Sequence, residues 1–174
     1  MGAGAMDGVP LLLAAAETTA RKAEEQISEI VRLMDEQGGQ TVFVNSLRVT
    51  TVQIEVAAVG IFSLFEARMQ HHMPRGSFFR QFRERLIAAD QPDLADRLHH
   101  YYLAVNVLKH GRGMSYEELL ATPNLPFAIK QPEDAFFEEG DIAEPEGLID
   151  FRAVAFFDGL VETLRQAHLF LEGN

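Results

Sequence analysis

Five residues at the end of one apolar stretch have types and spacing suited to chemistry. In AVNVLKHGRGMS, Asn106, Lys109, His110 and Arg112 stand close together, and His99 precedes His110 by eleven residues. Imidazole titrates near neutrality, so it can give or take a proton at physiological pH. Metal-independent RNA cleavage needs a base for the 2′-hydroxyl, an acid for the leaving oxygen and a cation for the phosphate. His110 is the candidate base or acid, with Asn106 beside it. Lys109 or Arg112 is the candidate cation, and His99 a further binding residue. A purely structural reading competes with this one. Lys and His in a last turn favour the helix dipole, and Gly111 is a usual left-handed stop.

The helix that carries these residues runs from about Pro92 to His110. Leu94, Leu98, Tyr101, Val105 and Leu108 fall within about 80° of one another on a helical wheel, which predicts a core stripe. His99, Asn106 and His110 cluster within about 40° on the opposite side. Leu103 and Val107 share that side. Such a mixture predicts a partly buried surface. A cleft, a dimer interface, or a second covering by the chain's own bundle would each suit it.

The Asn106–His110 segment, at the end of a bundle helix, resembles part of the signature of HEPN (higher eukaryotes and prokaryotes nucleotide-binding) domains. The resemblance implies an all-α bundle. Many members are metal-independent ribonucleases of toxin, antiphage and RNA-processing systems, and others are noncatalytic. Their pattern is an Arg, often followed by Asn, Asp or His, with a His four to six residues after the Arg. Two such helices meeting in a dimer form the active site. Asn106 matches the polar position and His110 the His, whereas Val105 stands where the family has Arg. The match spans about five residues. It implies a homodimer that binds RNA, nucleotide or a protein partner, noncatalytic in the leading reading. A ribonuclease using His110 is one alternative and a structural interaction module the other.

A second basic stretch is PRGSFFRQFRER. It interleaves Arg75, Arg80, Arg83 and Arg85 with Phe78, Phe79 and Phe82. Basic residues among aromatics can bind RNA through phosphate contacts and base stacking, which makes Arg80 and Arg83 candidate binding residues. Core phenylalanines with a solvated arginine face are the favoured alternative. The net charge of −11 supports it, because a nucleic-acid role would need a local basic patch on an acidic background.

The elements that must position these residues read as follows. A helix is predicted from Val9 to Gln37, started by Pro10 and stopped by Gly38-Gly39, with Ile27, Ile30, Val31 and Met34 as an apolar stripe. A second runs from Val42 to Met73 and closes at Pro74. It is nearly apolar from Val52 to Phe65, which predicts the most buried helix of the bundle. A strand over Val49–Val56 is the alternative that its β-branched residues suggest. Glu55 and Glu66 lie eleven residues apart on this helix, near one line with Arg48. Each needs a partner, such as Arg48, Arg68 or the histidines at 99 and 110. Residues 76–90 form a shorter helix with Ser77 as its cap and Phe78, Phe82 and Leu86 inward. Ser115 and Glu118 read as a capping box for a short helix through Leu120. Residues 122–147 form an irregular acidic arm in which FAIK could pair with AFFEE as a small hairpin. A last helix runs from about Leu148 to Leu171.

The fold class is therefore all-α: an up-and-down bundle of four to five main helices, with the irregular arm before the last one. A single domain covers 7–174, and residues 1–6 read as a leader or cloning remnant. Hydrophobic residues make up 47% and charged residues 24%, the balance of a soluble globular domain. Cysteine is absent, which excludes disulfides and thiolate metal sites and is compatible with a cytoplasmic setting. The longest apolar run, 56–65, is about half a membrane span, so no membrane partner is expected. No Glu-x-x-His pair, phosphate loop or dinucleotide fingerprint occurs, so neither metal nor cofactor is expected. His168 reads as structural. The acidic arm suits a basic protein partner.

Overall fold

The computed structural model describes residues 8–129, 149 and 154–173. They form an all-α bundle, 83% helical. Six α-helices follow one another: α1 (Val9–Gln37), α2 (Thr41–Met69), α3 (Phe78–Ala88), α4 (Pro92–His110), α5 (Met114–Ala121) and α6 (Val154–Glu172). A 3-10 turn over Gln70–His72 ends α2 four residues before the expected stop.

α1 and α2 form a long antiparallel hairpin. Pro10 sits in the first turn of α1, and Gly38 leaves it at φ 83°, a conformation only glycine adopts freely. Alanines 16, 20 and 23 are buried on α1, and their small side chains let a neighbouring backbone come close. On the outer side Arg32 bridges Glu29 and Glu36 at 2.7 and 2.6 Å. At the open end of the hairpin, Arg68 donates to the Gly8 carbonyl.

The β-branched residues of α2 are accommodated in a helix, and no strand forms there. Ser46, Thr50 and Thr51 each donate a hydroxyl to the carbonyl four residues back, which gives these side chains a place inside a helix. The expectation that α2 would be the most buried helix is overturned. Thr50, Ile54, Ala58, Ile61, Phe65 and Met69 are buried along one face. Val42, Val49, Val52 and Val56, on the other face, are 58, 57, 53 and 66% exposed. The reason is position: among the described residues α2 lies at the edge of the bundle, and only one of its two apolar sides is covered.

α4 takes the central place instead and packs against α2, α3, α5 and α6. Of its predicted stripe, Leu94, Leu98, Tyr101 and Val105 are buried and Leu108 is half-buried against the core. Leu103 and Val107, on the opposite side, are buried too. α3 contributes Phe78, Phe82 and Leu86 as expected, and also Phe79, which stacks on Phe62 of α2 at 4.3 Å between ring centroids. α6 starts later than expected and buries Phe156, Phe157, Leu160, Leu164 and Leu171. His168 is buried in α6, 3.5 Å from Glu172.

Contacts along α1 fix how far α6 reaches. Arg165 pairs with Glu17, and Asp158 acts on Glu24, so α6 runs antiparallel to α1 and starts near the level of Ser28. The last turns of α1 and the first of α2 extend beyond it. Among residues 28–50 only Ile30 and Thr50 are buried.

After α5 the chain turns at Asn124, where φ is 56°, and buries Phe127 against Tyr101 and Phe156. Ile129 then forms an isolated antiparallel bridge with Ile149. The expected partner of FAIK in a hairpin, AFFEE, lies outside the described residues, as does most of the acidic arm.

Candidate functional site

The chemistry-bearing residues of α4 are distributed between its two ends. His99 and His110, eleven residues apart, are separated by about 16 Å along the axis. The first half of the helix and its last turn therefore form two different sites.

At the first, α3, α4 and α5 meet. His99 Nε2 donates to Glu118 Oε1 at 2.7 Å, and its ring lies near-parallel to Tyr102 at 6.2 Å. This pairing explains why the capping box expected at Ser115 and Glu118 does not form. α5 starts at Met114 behind Gly113, without a side-chain cap, and the Glu118 carboxylate turns to the imidazole. Arg83 of α3 pairs with Asp96 of α4 at 3.2 Å. His100 lies between these pairs. Its Nδ1 is buried without a hydrogen-bond partner among the described residues, and burial pushes the imidazole pKa below its ordinary value while Asp96 pulls the other way. The neutral ring is thus favoured. Sequence reasoning singled out His99 and Arg83 but missed Asp96, His100 and Glu118. Asp96 and His100 stand four residues apart on one helix face, which was a readable signal. The approach of Arg83 and Glu118 was not, because both come from other helices.

At the second site, Lys109, His110 and Arg112 are exposed around the stop at Gly111, where φ is 70° and the amide donates to the Val107 carbonyl. Asn106 is half-buried one turn earlier. Val105, at the position of the family's Arg, is 1% exposed within the core. The structure thus brings Asn106, Lys109, His110 and Arg112 to one end but leaves His99 at the other. No hydrogen bond or ion pair joins either group to Glu55 or Glu66 among the described residues. Glu55 is half-buried, and His99 is engaged by Glu118 instead. The expected partner Arg68 is turned to Gly8.

The aromatic–basic stretch divides as its structural reading expects. Phe78, Phe79 and Phe82 are buried and present no face for base stacking. Arg80 is exposed, Arg83 is held by Asp96, and the Arg85 guanidinium lies 6.0 Å over the Phe170 ring. Among the described residues, no group of three His, Asp or Glu side chains is placed to hold a metal ion. No family model, no curated protein and no solved structure matches the chain.

Proposed function

We propose that the chain is a noncatalytic helical module, HEPN-like in its Asn106–His110 segment, that works by binding a protein partner. The observation that carries this reading is Val105. Where the family's chemistry needs a guanidinium beside the polar residue and the histidine, this chain has a core valine, 1% exposed. An Arg there would need to take its charge into an apolar core. Lys109 and Arg112 do not replace it. They sit at the C-terminal end of α4, where the backbone dipole attracts cations and disfavours a phosphate.

The charge balance supports a protein over a nucleic acid. The chain carries a net charge of −11, and its segment from Glu133 to Asp150 holds acids and no bases. A basic protein surface is the complementary partner. The test is direct. Purified chain and His110→Ala are incubated with mixed single- and double-stranded RNAs, and oligonucleotide binding is followed at rising salt. The expected result is no cleavage and no steeply salt-dependent binding. Cleavage by the native chain that disappears in His110→Ala, with melting unchanged, overturns the reading. Binding to a basic protein that is lost when Glu138 and Glu139 are neutralised supports it.

A further inference from the structure

α2 carries a second apolar face whose valines are exposed and which no described residue covers. Val42, Val49, Val56 and Ser63 recur at intervals of seven, and Asn45, Val52 and Val59 recur at the same interval three residues later. This is the a/d spacing of a two-stranded coiled coil, with valine at most of its a and d positions and Asn45 at one d. The seam points away from the buried face. On a helical wheel its centre lies about 180° from the line of Ile54, Ile61 and Phe65. The four valines from 42 to 56 are more than half exposed, and Asn45 is exposed beside them. Single exposed valines are ordinary, but a straight stripe from 42 to 56, about 21 Å long, is not; Val59, next along it, is half-buried against the core.

The charges along this seam point to its occupant. Arg48 and Glu55 flank it on one side, both at the g position, and no hydrogen bond or ion pair ties either side chain among the described residues. Glu55 is half-buried, and burial alone acts on its carboxyl, raising its pKa. The other flank is Ser46, Gln53 and Gly60, without charge. A parallel pair would set g against e, placing Arg48 beside Gln53 and Glu55 beside Gly60. An antiparallel pair sets g against g. When Val49 lies opposite Val52 of the second copy, Val42 lies opposite Val59 and Asn45 opposite Val56. Arg48 of each copy then reaches Glu55 of the other. The seam is thus complementary to itself in charge, with valine facing valine in most of its layers.

We infer that the valine seam of α2, exposed from Val42 to Val56 and ending at the half-buried Val59, is the interface for a second copy of this chain, with the two α2 helices antiparallel and crossed by two Arg48–Glu55 ion pairs. This differs from the dimer that the HEPN resemblance implies, which would join the chains through α4. It holds whether or not His110 is catalytic. The seam engages fewer residues than the roughly 20–30 a side of a standard interface. The dimer should therefore exchange with monomer at micromolar concentrations.

The full chain is followed by sedimentation velocity across a concentration series. The native chain should pass from monomer to dimer. Val52→Arg and Val56→Arg, both at exposed positions, should keep the native circular dichroism and melting of the monomer while weakening association about 100-fold. R48E alone and E55R alone should each weaken self-association about tenfold, because each creates two like-charge contacts. Their double variant should regain it. An equimolar mixture of the two single variants should form a heterodimer, since one chain then carries acids at both positions and meets a chain that carries bases at both. A monomer at every concentration overturns the inference. So does an unaltered dimer in Val52→Arg, and so does a charge pair that fails to rescue.

One competing occupant is a bilayer, because Thr41–His72 has the length and mean hydropathy, 1.4, of a membrane-crossing helix. Vesicles of three parts phosphatidylcholine to one part phosphatidylglycerol test it. Co-sedimentation of the native chain that is lost in Val52→Arg, with no dimer in solution, assigns the face to lipid and overturns the inference.

Discussion

α2 and α4 look alike in sequence, and the fold treats them differently. Each has apolar residues around most of its circumference, so neither shows one clean amphipathic stripe. α4 satisfies both of its apolar sides within the chain: Leu98, Tyr101 and Val105 on one, Leu103 and Val107 on the other. α2 satisfies one side and leaves valines open on the other. An all-round apolar helix must be covered on all sides, but the sequence does not say whether its own chain supplies every neighbour. α4 has helices on all sides and becomes the centre. α2 has its partners on one side and becomes an edge.

The sharpest way to break this contrast is to place the same charge on both helices. Val105→Arg, which also supplies the cation of the resembled motif, should cost about 3–5 kcal/mol or prevent folding, because the guanidinium has no buried partner. Val56→Arg should change monomer stability by about 0.5 kcal/mol or less. Urea unfolding of dilute protein measures both, and a well-folded Val105→Arg chain would mean that α4 is not the centre described above.

The next largest effect lies where α4 meets α6. A Cβ at Gly159 would overlap the Tyr101 hydroxyl; Tyr101 is buried and Gly159 is half-buried beside it. Gly159→Ala should cost about 1–3 kcal/mol in the same assay. A cost near zero would show that the ring can move aside. Tyr101→Phe tests the same contact from the other side. The hydroxyl is buried with no hydrogen-bond partner among the described residues, and burial pushes its pKa up to about 12. Removing it should therefore leave stability unchanged or raise it by about 1 kcal/mol. A clear loss would reveal a partner for that hydroxyl.

The smallest expected effect is on pH dependence. Burial depresses the pKa of His100 in the folded chain below its unfolded value of 6.5. The unfolded chain therefore binds more protons in the window between the two, and stability rises with pH there. The contribution is fully present above 6.5 and is lost as pH falls through that value toward the folded pKa. Melting of native chain and His100→Gln from pH 5 to 8 should show a shallow slope in the first that is absent in the second. His100 is only partly buried, so water screens it and the slope should be small. Equal slopes would place the titration elsewhere.

Local signals made much of the helical frame legible. α1 and α4 begin and end as read, because Pro10, Pro92, Gly38 and Gly111 act within one turn of themselves. The inward face of α3 follows from periodicity over a few turns. The misreadings share one cause. Ser115 and Glu118 have the spacing of a capping box, yet Glu118 answers His99 from a helix nineteen residues earlier. Glu55 and Glu66 read as members of structural salt bridges, with the histidines of α4 as the alternative, but spacing cannot say which helices are neighbours. The site was legible only in part for the same reason. Asn106, His110 and Arg112 gather because they are close in sequence, whereas Arg83, Asp96 and His100 gather because α3 packs on α4.

The sequence by itself determined that this chain is all-α, where most of its helices start and stop, and that Val105 replaces the cation of the resembled motif. These properties depend on residues a few positions apart, whose geometry a helix sets directly. Only the tertiary structure decided that α4 is central and α2 peripheral, that His99 belongs to Glu118, and that a valine seam flanked by Arg48 and Glu55 stands open. Those outcomes depend on which helix lies beside which. That is settled by burial summed over the whole chain, and no single stretch of residues carries it.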